Sequence, residues 1–225
     1  MEQLQSNYRR VRAQVDAAAS AAGREPAEIL LLAVSKTMPA EDIQALYDMG
    51  VRDFGENRIP ELERKAAGLP RDIIWHFIGP MQSNKIRKAV KLASVIHSIE
   101  DISAVERLDR ICGEEGRSVQ FLLEVNISGE ASKGGAAPGE FMTLARCAAA
   151  CRNAVFSGLM TMAPLNASQE VLDQVFSGLA RLRNQAETEL GINLPLLSMG
   201  MSQDFPSAIA NGSTIVRVGT AIFSR

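Results

Sequence analysis

Cysteine and histidine are scarce in this sequence of 225 residues, which contains three cysteines and two histidines. An odd number of cysteines without a CxxC pair argues against a disulfide framework, so we expect reduced thiols. Cys147 and Cys151 stand four residues apart in a predicted helix and match no functional pattern. With His76 and His97 as the only imidazoles, a structural zinc site is not expected either.

The sequence also lacks long apolar runs and an excess of charge of one sign. No run approaches the ~20 apolar residues of a membrane span, and residues 1–5 lack the apolar centre of a signal peptide. The net charge is -2, with 46% apolar and 22% charged residues. We therefore expect a cytoplasmic protein that binds neither membranes nor nucleic acid. The basic cluster Lys85, Arg87, Lys88 and Lys91 is interpreted as a solvated helix face.

The most informative stretch is a run of six apolar residues, Ile29 to Val34, which is followed two residues later by Lys36. An uninterrupted apolar run between Pro26 and Pro39 is typical of a strand buried on both faces. Parallel α/β folds place their chemistry at the carboxyl ends of such strands. Because an apolar core disfavours the ammonium form, Lys36 is a candidate Schiff-base lysine. The alternative is an ordinary strand-end lysine that extends into solvent.

Predicted strands and helices alternate along the whole chain. After an amphipathic helix over residues 1–22, eight strands are predicted at 29–34, 51–54, 73–78, 94–97, 119–125, 155–160, 194–198 and 214–218. Helices are predicted at 40–49, 58–67, 83–92, 101–115, 139–151, 168–190 and 204–211, and residues 127–138 are predicted to form a loop.

Strict alternation predicts a parallel sheet with crossover helices, and eight units predict a closed (β/α)8 TIM barrel. We expect one domain over residues 1–225. No helix is expected after the last strand, and the N-terminal helix is expected to fill that position in the outer ring. A doubly wound open sheet is the alternative, but it would leave hydrophobic edge strands to be covered.

In such a barrel, the carboxyl ends of all strands open on one face. The polar residues predicted on this rim are Lys36, Glu56, Asn57, His76, His97, Ser98, Asn126, Thr161, Ser198 and Arg217. Phosphate sites in these barrels lie after strands seven and eight, where Gly200 and Gly219 let backbone amides approach an anion. Each glycine alone could equally serve a turn. A reactive lysine that faces a phosphate cup would suit a phosphorylated aldehyde such as pyridoxal 5′-phosphate.

Several longer motifs resemble the YggS/PROSC family of pyridoxal-phosphate-binding proteins, the pyridoxal phosphate homeostasis proteins. They lie in order along nearly the whole chain, at residues 33–37, 54–57, 76–79, 82–85, 132–134, 158–162, 198–204 and 216–223. The resemblance implies a single-domain barrel similar to the N-terminal domain of bacterial alanine racemase.

The resemblance also implies roles for individual residues. Lys36 would hold pyridoxal 5′-phosphate as an internal aldimine, Arg217 would face its pyridine nitrogen, and Asn57 would lie near its ring. The phosphate cup would consist of Ser198, Gly219 and Thr220, with Met199 and Ser202 beside it. Lys133, in a glycine-rich loop, is predicted to assist release or transfer of the cofactor, or else to be a solvated loop lysine.

Arg217 restricts the chemistry that such a cofactor could perform. Because an arginine only donates hydrogen bonds, it leaves the pyridine ring neutral, and a neutral ring is a poor electron sink. This argues against transamination and decarboxylation, but it is compatible with racemisation or with no turnover. Racemisation also needs a second acid or base, yet Tyr8 and Tyr47 fall in predicted helices away from the rim. We therefore predict a monomeric, non-catalytic protein of pyridoxal phosphate and amino-acid homeostasis, with apo-enzymes as possible recipients. A minor amino-acid racemase, or a Schiff-base aldolase without cofactor, is the alternative.

Overall fold

The structure is a computed structural model that describes residues 2–130 and 133–224. Its eight strands within these ranges are β1 Leu30–Val34, β2 Asp53–Glu56, β3 Ile74–Phe77, β4 Val95–Ile99, β5 Gln120–Glu124, β6 Val155–Met160, β7 Leu196–Ser198 and β8 Ile215–Val218. The nine α-helices of the same ranges are α1 Glu2–Ala21, α2 Ala40–Tyr47, α3 Ile59–Gly68, α4 Ile86–Leu92, α5 Ile102–Glu115, α6 Phe141–Ala149, α7 Gln169–Leu190, α8 Phe205–Ala210 and α9 Thr220–Phe223.

The strands form a closed barrel in sequence order, and every neighbouring pair is parallel. Closure is made by β1 and β8, in which Leu32 is paired with Arg217 and Ala33 with Val218. A closed barrel leaves no edge strand with unpaired backbone groups. The predicted (β/α)8 barrel is confirmed, and the open-sheet alternative is excluded.

Apolar packing between the barrel and its outer helices accounts for the uninterrupted hydrophobic runs in the sequence. Phe54, Phe77 and Phe121 lie on three different strands and are fully buried. Residues of a barrel strand face either the interior or the helices, so few of them retain contact with water. Within the described residues, no helix is long and apolar enough to cross a membrane.

The ends of the longer helices follow local signals in the sequence. Asp101 accepts a hydrogen bond from the backbone amide of Ala104 at the start of α5, and Ser168 does the same for Val171 at the start of α7. Such caps satisfy backbone amides that have no partner inside the helix. Several predicted elements nevertheless extend one to three residues beyond the observed ones, for example 83–92 against Ile86–Leu92.

Helix α1 closes the outer ring of helices, as predicted. It packs against α2 on one side and against α8 and α9 on the other. The side-chain amide of Asn7 donates hydrogen bonds to the carbonyls of Ile222 (3.2 Å) and Ser224 (2.9 Å). The expectation that no helix follows the last strand is wrong, because α9 forms one helical turn there. A single turn is too short to produce a recognisable hydrophobic period.

Two glycines allow neighbouring backbones to approach more closely than any side chain would permit. A Cβ atom on Gly79 would lie 2.1 Å from the carbonyl oxygen of Asn57, and one on Gly158 would lie 1.8 Å from that of Leu196. Both glycines therefore belong to barrel packing. Gly79 in addition holds the segment after β3 against the residue that follows β2.

We expect Gly79→Ala to lower the free energy of unfolding by about 2 kcal/mol or more, because the added methyl group meets backbone that cannot move aside. Gly68→Ala is the matched control, since a Cβ there meets nothing within 4 Å, and it should stay within about 0.5 kcal/mol of wild type. Urea denaturation of both variants measures the difference. Equal stability of the two variants would contradict the packing argument.

Candidate ligand-binding site

Arg217 lies inside the barrel near its carboxyl-terminal mouth, with only 6% of its surface exposed. One guanidinium nitrogen donates to the carbonyl (2.7 Å) and the hydroxyl (2.6 Å) of Ser198, and a second donates to the carbonyl of Thr161 (3.0 Å). Burial lowers the pKa of Arg217 to about 10, while Glu124 and Asp204 oppose this effect. The guanidinium therefore remains charged at neutral pH and forms a fixed hydrogen-bond donor across β6, β7 and β8.

A line of hydrogen bonds continues from Arg217 through the barrel. His97 Nδ1 lies 2.9 Å from the Ser198 hydroxyl, and His97 Nε2 lies 2.9 Å from His76 Nδ1. The opposite nitrogen of His76 lies 3.0 Å from Oδ1 of Asp53. Because β4 and β7 are not neighbours in the barrel, the bond from His97 to Ser198 crosses its interior.

Both histidines are buried, so their predicted place on the rim is wrong. Their side chains point into the barrel, a direction that the position of a strand end does not reveal. Burial lowers the pKa of His97 well below its usual range, and His76 and Arg217 lower it further. His97 is therefore neutral at physiological pH.

Lys36 lies in the turn directly after β1, at the mouth of the barrel, and its side chain is exposed. The following residue, Thr37, has a φ of 65°, a left-handed conformation that is unusual for a β-branched residue. The sequence predicts a Lys36 amine at the edge of the apolar core, whereas the structure exposes its side chain. The amine is instead accessible to a ligand that enters the mouth.

A buried ionic cluster holds the turn that carries Lys36. The Lys65 ammonium donates to the carbonyl of Ser35 (2.8 Å), to Glu56 (2.7 Å) and to Glu61 (2.8 Å). The Ser35 hydroxyl donates to Glu56 (2.6 Å), and the backbone amide of Thr37 donates to Glu61 (2.7 Å). The backbone on both sides of Lys36 is thus tied to α3, which stabilises the strained turn.

Asn57 follows β2 on the neighbouring part of the rim. Its side-chain oxygen is buried and has no hydrogen-bond partner within the described part of the chain, and the same holds for Oε2 of Glu56. A buried polar atom without a partner is costly, and a ligand donor would remove that cost. These two oxygens therefore favour a polar ligand next to the Lys36 turn.

The loop after β7 turns tightly against α8. Gly200 has a φ of 93°, and a Cβ there would lie 2.6 Å from that of Ala208. The backbone amide of Met201 donates to Asp204 (2.5 Å), which fixes the turn, and Ser202 is half-buried beside it. Met199, in contrast, is fully buried in the core.

Gly219 and Thr220 form the loop after β8, and Thr220 begins α9 with an exposed side chain. Amides in the first turn of a helix lack intrahelical acceptors and point outward. The structure thus brings Ser202, Gly219 and Thr220 to the same end of the barrel. The hydroxyl of Ser198 instead lies inside, on Arg217 and His97.

Glu124, at the end of β5, is a buried acid that the sequence reasoning missed. Burial raises its pKa to about 7, nearby Glu100 adds to the shift, and Arg217 opposes it. Glu100 and Glu124 flank Gly134, since a Cβ on this glycine would lie 2.9 Å from one carboxylate and 3.6 Å from the other. The sequence does contain a signal for this acid, because Glu124 is a charged residue within the otherwise apolar run from Phe121 to Val125.

Lys133 lies in the loop after β5. Its ammonium forms an ion pair with Glu130 (2.8 Å) and donates to the carbonyl of Met162 (3.3 Å). Ser132, part of the same sequence motif, lies outside the described residues. Lys133 therefore stands near the mouth, and its part in ligand transfer stays a prediction.

We expect Glu124→Gln to change how stability depends on pH. Between the ordinary value of 4.5 and about 7, folded Glu124 keeps a proton that the unfolded chain has lost, so its contribution to stability falls as pH rises. Glutamine remains neutral. The variant's stability relative to wild type should therefore increase by roughly 1–3 kcal/mol from about pH 5 to about pH 8. Urea denaturation across this range measures it, and parallel curves would refute the assignment.

Comparison with known proteins places this chain among well-defined relatives. A model of the family described as "Alanine racemase, N-terminal domain" matches residues 1–224. The pyridoxal phosphate homeostasis protein of Pseudomonas aeruginosa is 40% identical over 224 residues, which are 99% of this chain and 96% of that protein. The protein of the same name from Aquifex aeolicus is 36% identical over 215 residues, covering 95% of this chain and 94% of that one.

A solved structure shows the same similarity. It is PipY of Synechococcus elongatus PCC7942 with PLP bound, which superposes with a TM-score of 0.87 at 35% identity and covers 99% of this chain and 100% of that one.

Proposed function

This chain belongs to the family of pyridoxal phosphate homeostasis proteins, and from that premise we propose that it binds pyridoxal 5′-phosphate at the mouth of its barrel and holds it reversibly, without turnover. The observation that carries this proposal is the arrangement of Lys36 and Arg217. Lys36 is an accessible amine at the mouth, and Arg217 is a fixed cation below it, on the neighbouring strand.

The residues at the mouth fit this ligand. Pyridoxal 5′-phosphate supplies an aldehyde that bonds reversibly to amines and a phosphate that anchors it. Lys36 is the proposed covalent attachment point, and Arg217 the proposed donor to the pyridine nitrogen. Ser202, Gly219 and Thr220 are the proposed phosphate contacts, and the unpaired oxygen of Asn57 is available to the ring region. We assign to Ser198 the support of Arg217, because its hydroxyl is already bound there.

The surroundings of the site support storage of the ligand over catalysis. As the donor to the ring nitrogen, Arg217 would not protonate it, which would leave the ring a poor electron sink for transamination or decarboxylation. Neither tyrosine is near the mouth. Tyr8 lines a cleft at the amino-terminal end of the barrel, and the Tyr47 hydroxyl is bound to Asp72 (2.6 Å) outside the barrel. A mouth that exposes Lys36 suits exchange with free amines or with apo-enzymes that accept the cofactor.

Lys36→Ala tests the attachment point. Wild-type protein loaded with pyridoxal 5′-phosphate should show the absorption band of a Schiff base, and borohydride should fix a pyridoxyl group on Lys36 that peptide mass spectrometry identifies. The variant should show neither. Lys88→Ala, which removes an exposed lysine paired with Glu63 on the outer helices, should behave as wild type. A pyridoxyl group on another lysine of the wild-type protein would overturn the assignment.

A second candidate function is slow racemisation of amino acids. It is favoured by Glu124, whose pKa of about 7 is suited to proton transfer near neutrality. This acid lies near Arg217 and is the proposed proton carrier of that reaction.

Single enantiomers of amino acids incubated with the loaded protein in deuterated water separate the two functions. Storage without turnover predicts no enzyme-dependent deuterium at the α-carbon. Racemisation predicts incorporation that Glu124→Gln abolishes and that Glu63→Gln, at an exposed site on α3, leaves unchanged. Incorporation that survives Glu124→Gln would exclude Glu124 as the acid.

A further inference from the structure

The hydrogen bonds from Arg217 to Asp53 have a direction that their two ends determine when each imidazole carries one proton. A guanidinium can only donate, so the Ser198 hydroxyl accepts from Arg217 at 2.6 Å. At the other end, the oxygens of a carboxylate can only accept, so His76 Nε2 carries a proton and donates to Asp53 at 3.0 Å.

The proton positions between these ends follow in turn. With a proton on Nε2 alone, His76 accepts at Nδ1, so the hydrogen bond of 2.9 Å to His97 is donated by His97 Nε2. A neutral His97 then accepts at Nδ1, and its donor at 2.9 Å is the Ser198 hydroxyl. Every donor in the chain thus points from Arg217 towards Asp53. For imidazoles that carry one proton each, the reverse direction would turn a lone pair of His76 against the Asp53 carboxylate.

We propose that His97 and His76 are positioning residues for ligand binding, which orient the Ser198 hydroxyl and through it the guanidinium that meets the ring of the ligand. This inference rests on the proposed function, since Arg217 must face the ligand for its orientation to matter. His97 is the central element, because its two ring nitrogens connect Ser198 on β7 with His76 on β3 across the interior.

An orienting role agrees better with the chemistry than a proton pathway does. Asp53 lines a cleft of about 850 Å³ at the amino-terminal end of the barrel. The chain of hydrogen bonds therefore reaches from that end of the barrel to the ligand site. A proton that entered there would stop at Ser198, because Arg217 does not release its own proton. A neutral His97 also places no second positive charge beside Arg217.

The first test needs no ligand. The sequence contains only two histidines, so an isotope-labelled wild-type sample gives two imidazole signals in long-range proton–nitrogen NMR spectra. Both rings should carry a proton on Nε2 and none on Nδ1. A proton on Nδ1 of either ring would overturn the inferred direction of the chain.

The second test replaces His97 with asparagine or with glutamine, whose side-chain amides take the positions of different ring nitrogens. The asparagine amide reaches the position of Nδ1, so His97→Asn keeps an acceptor for Ser198 and loses the contact with His76. The glutamine amide reaches the position of Nε2, so His97→Gln keeps the contact with His76 and leaves the Ser198 hydroxyl without an acceptor for its proton. We expect His97→Gln to weaken pyridoxal 5′-phosphate binding about tenfold or more, and His97→Asn to weaken it several-fold less.

Titration of the apo-proteins with pyridoxal 5′-phosphate, followed by absorbance, measures these affinities. A role in core packing alone predicts the reverse order, because glutamine fills the imidazole volume better than asparagine. Equal losses, the reverse order or no loss would therefore overturn the positioning role. Failure of the wild-type protein to bind pyridoxal 5′-phosphate is a different result. It would refute the proposed function and, with it, any role of these hydrogen bonds in ligand binding.

Discussion

A charged guanidinium inside a barrel is the constraint on which the rest of this structure depends. Arg217 is almost fully buried, and an unpaired charge in such surroundings would cost several kcal/mol. The protein meets that cost with the carbonyl and hydroxyl of Ser198 on β7, with the carbonyl of Thr161, which follows β6, and with the nearby carboxyl of Glu124. These contacts require the strands to be in one register, so fold and site are stabilised by the same hydrogen bonds.

The same arrangement separates two parts of the proposed ligand site. Arg217 and its supporting groups form a rigid floor, whereas Lys36 stands on an exposed turn at the mouth. The turn itself is strained at Thr37 and is held from below by Lys65. A fixed floor suits selective recognition of the ring, and an accessible amine suits reversible exchange. This combination agrees with the proposed storage and delivery of a reactive aldehyde. Glu124 is the proposed proton carrier if the protein also racemises amino acids.

Much of the architecture could be predicted because it depends on local patterns. Buried strands such as Leu30–Val34 are visible as apolar runs, and amphipathic helices are visible from their period. The short helix Thr220–Phe223 is not predicted, because one helical turn is too short to show a hydrophobic period. The sequence pattern places His76 and His97 on the rim because it indicates where a strand ends but not the direction in which its side chains point. A shift of one residue reverses that direction.

The amino-acid sequence by itself therefore determined the alternation of strands and helices, the closed barrel, and the end of the barrel at which Lys36, Gly200 and Gly219 would meet. Only the tertiary structure decided which polar side chains turn inward. Asp53, His76, His97 and Ser198 come from four strands separated by long segments of chain, and they become neighbours only when the barrel closes. Hydrogen-bond direction and pKa depend on such neighbours and on burial, which no local pattern contains.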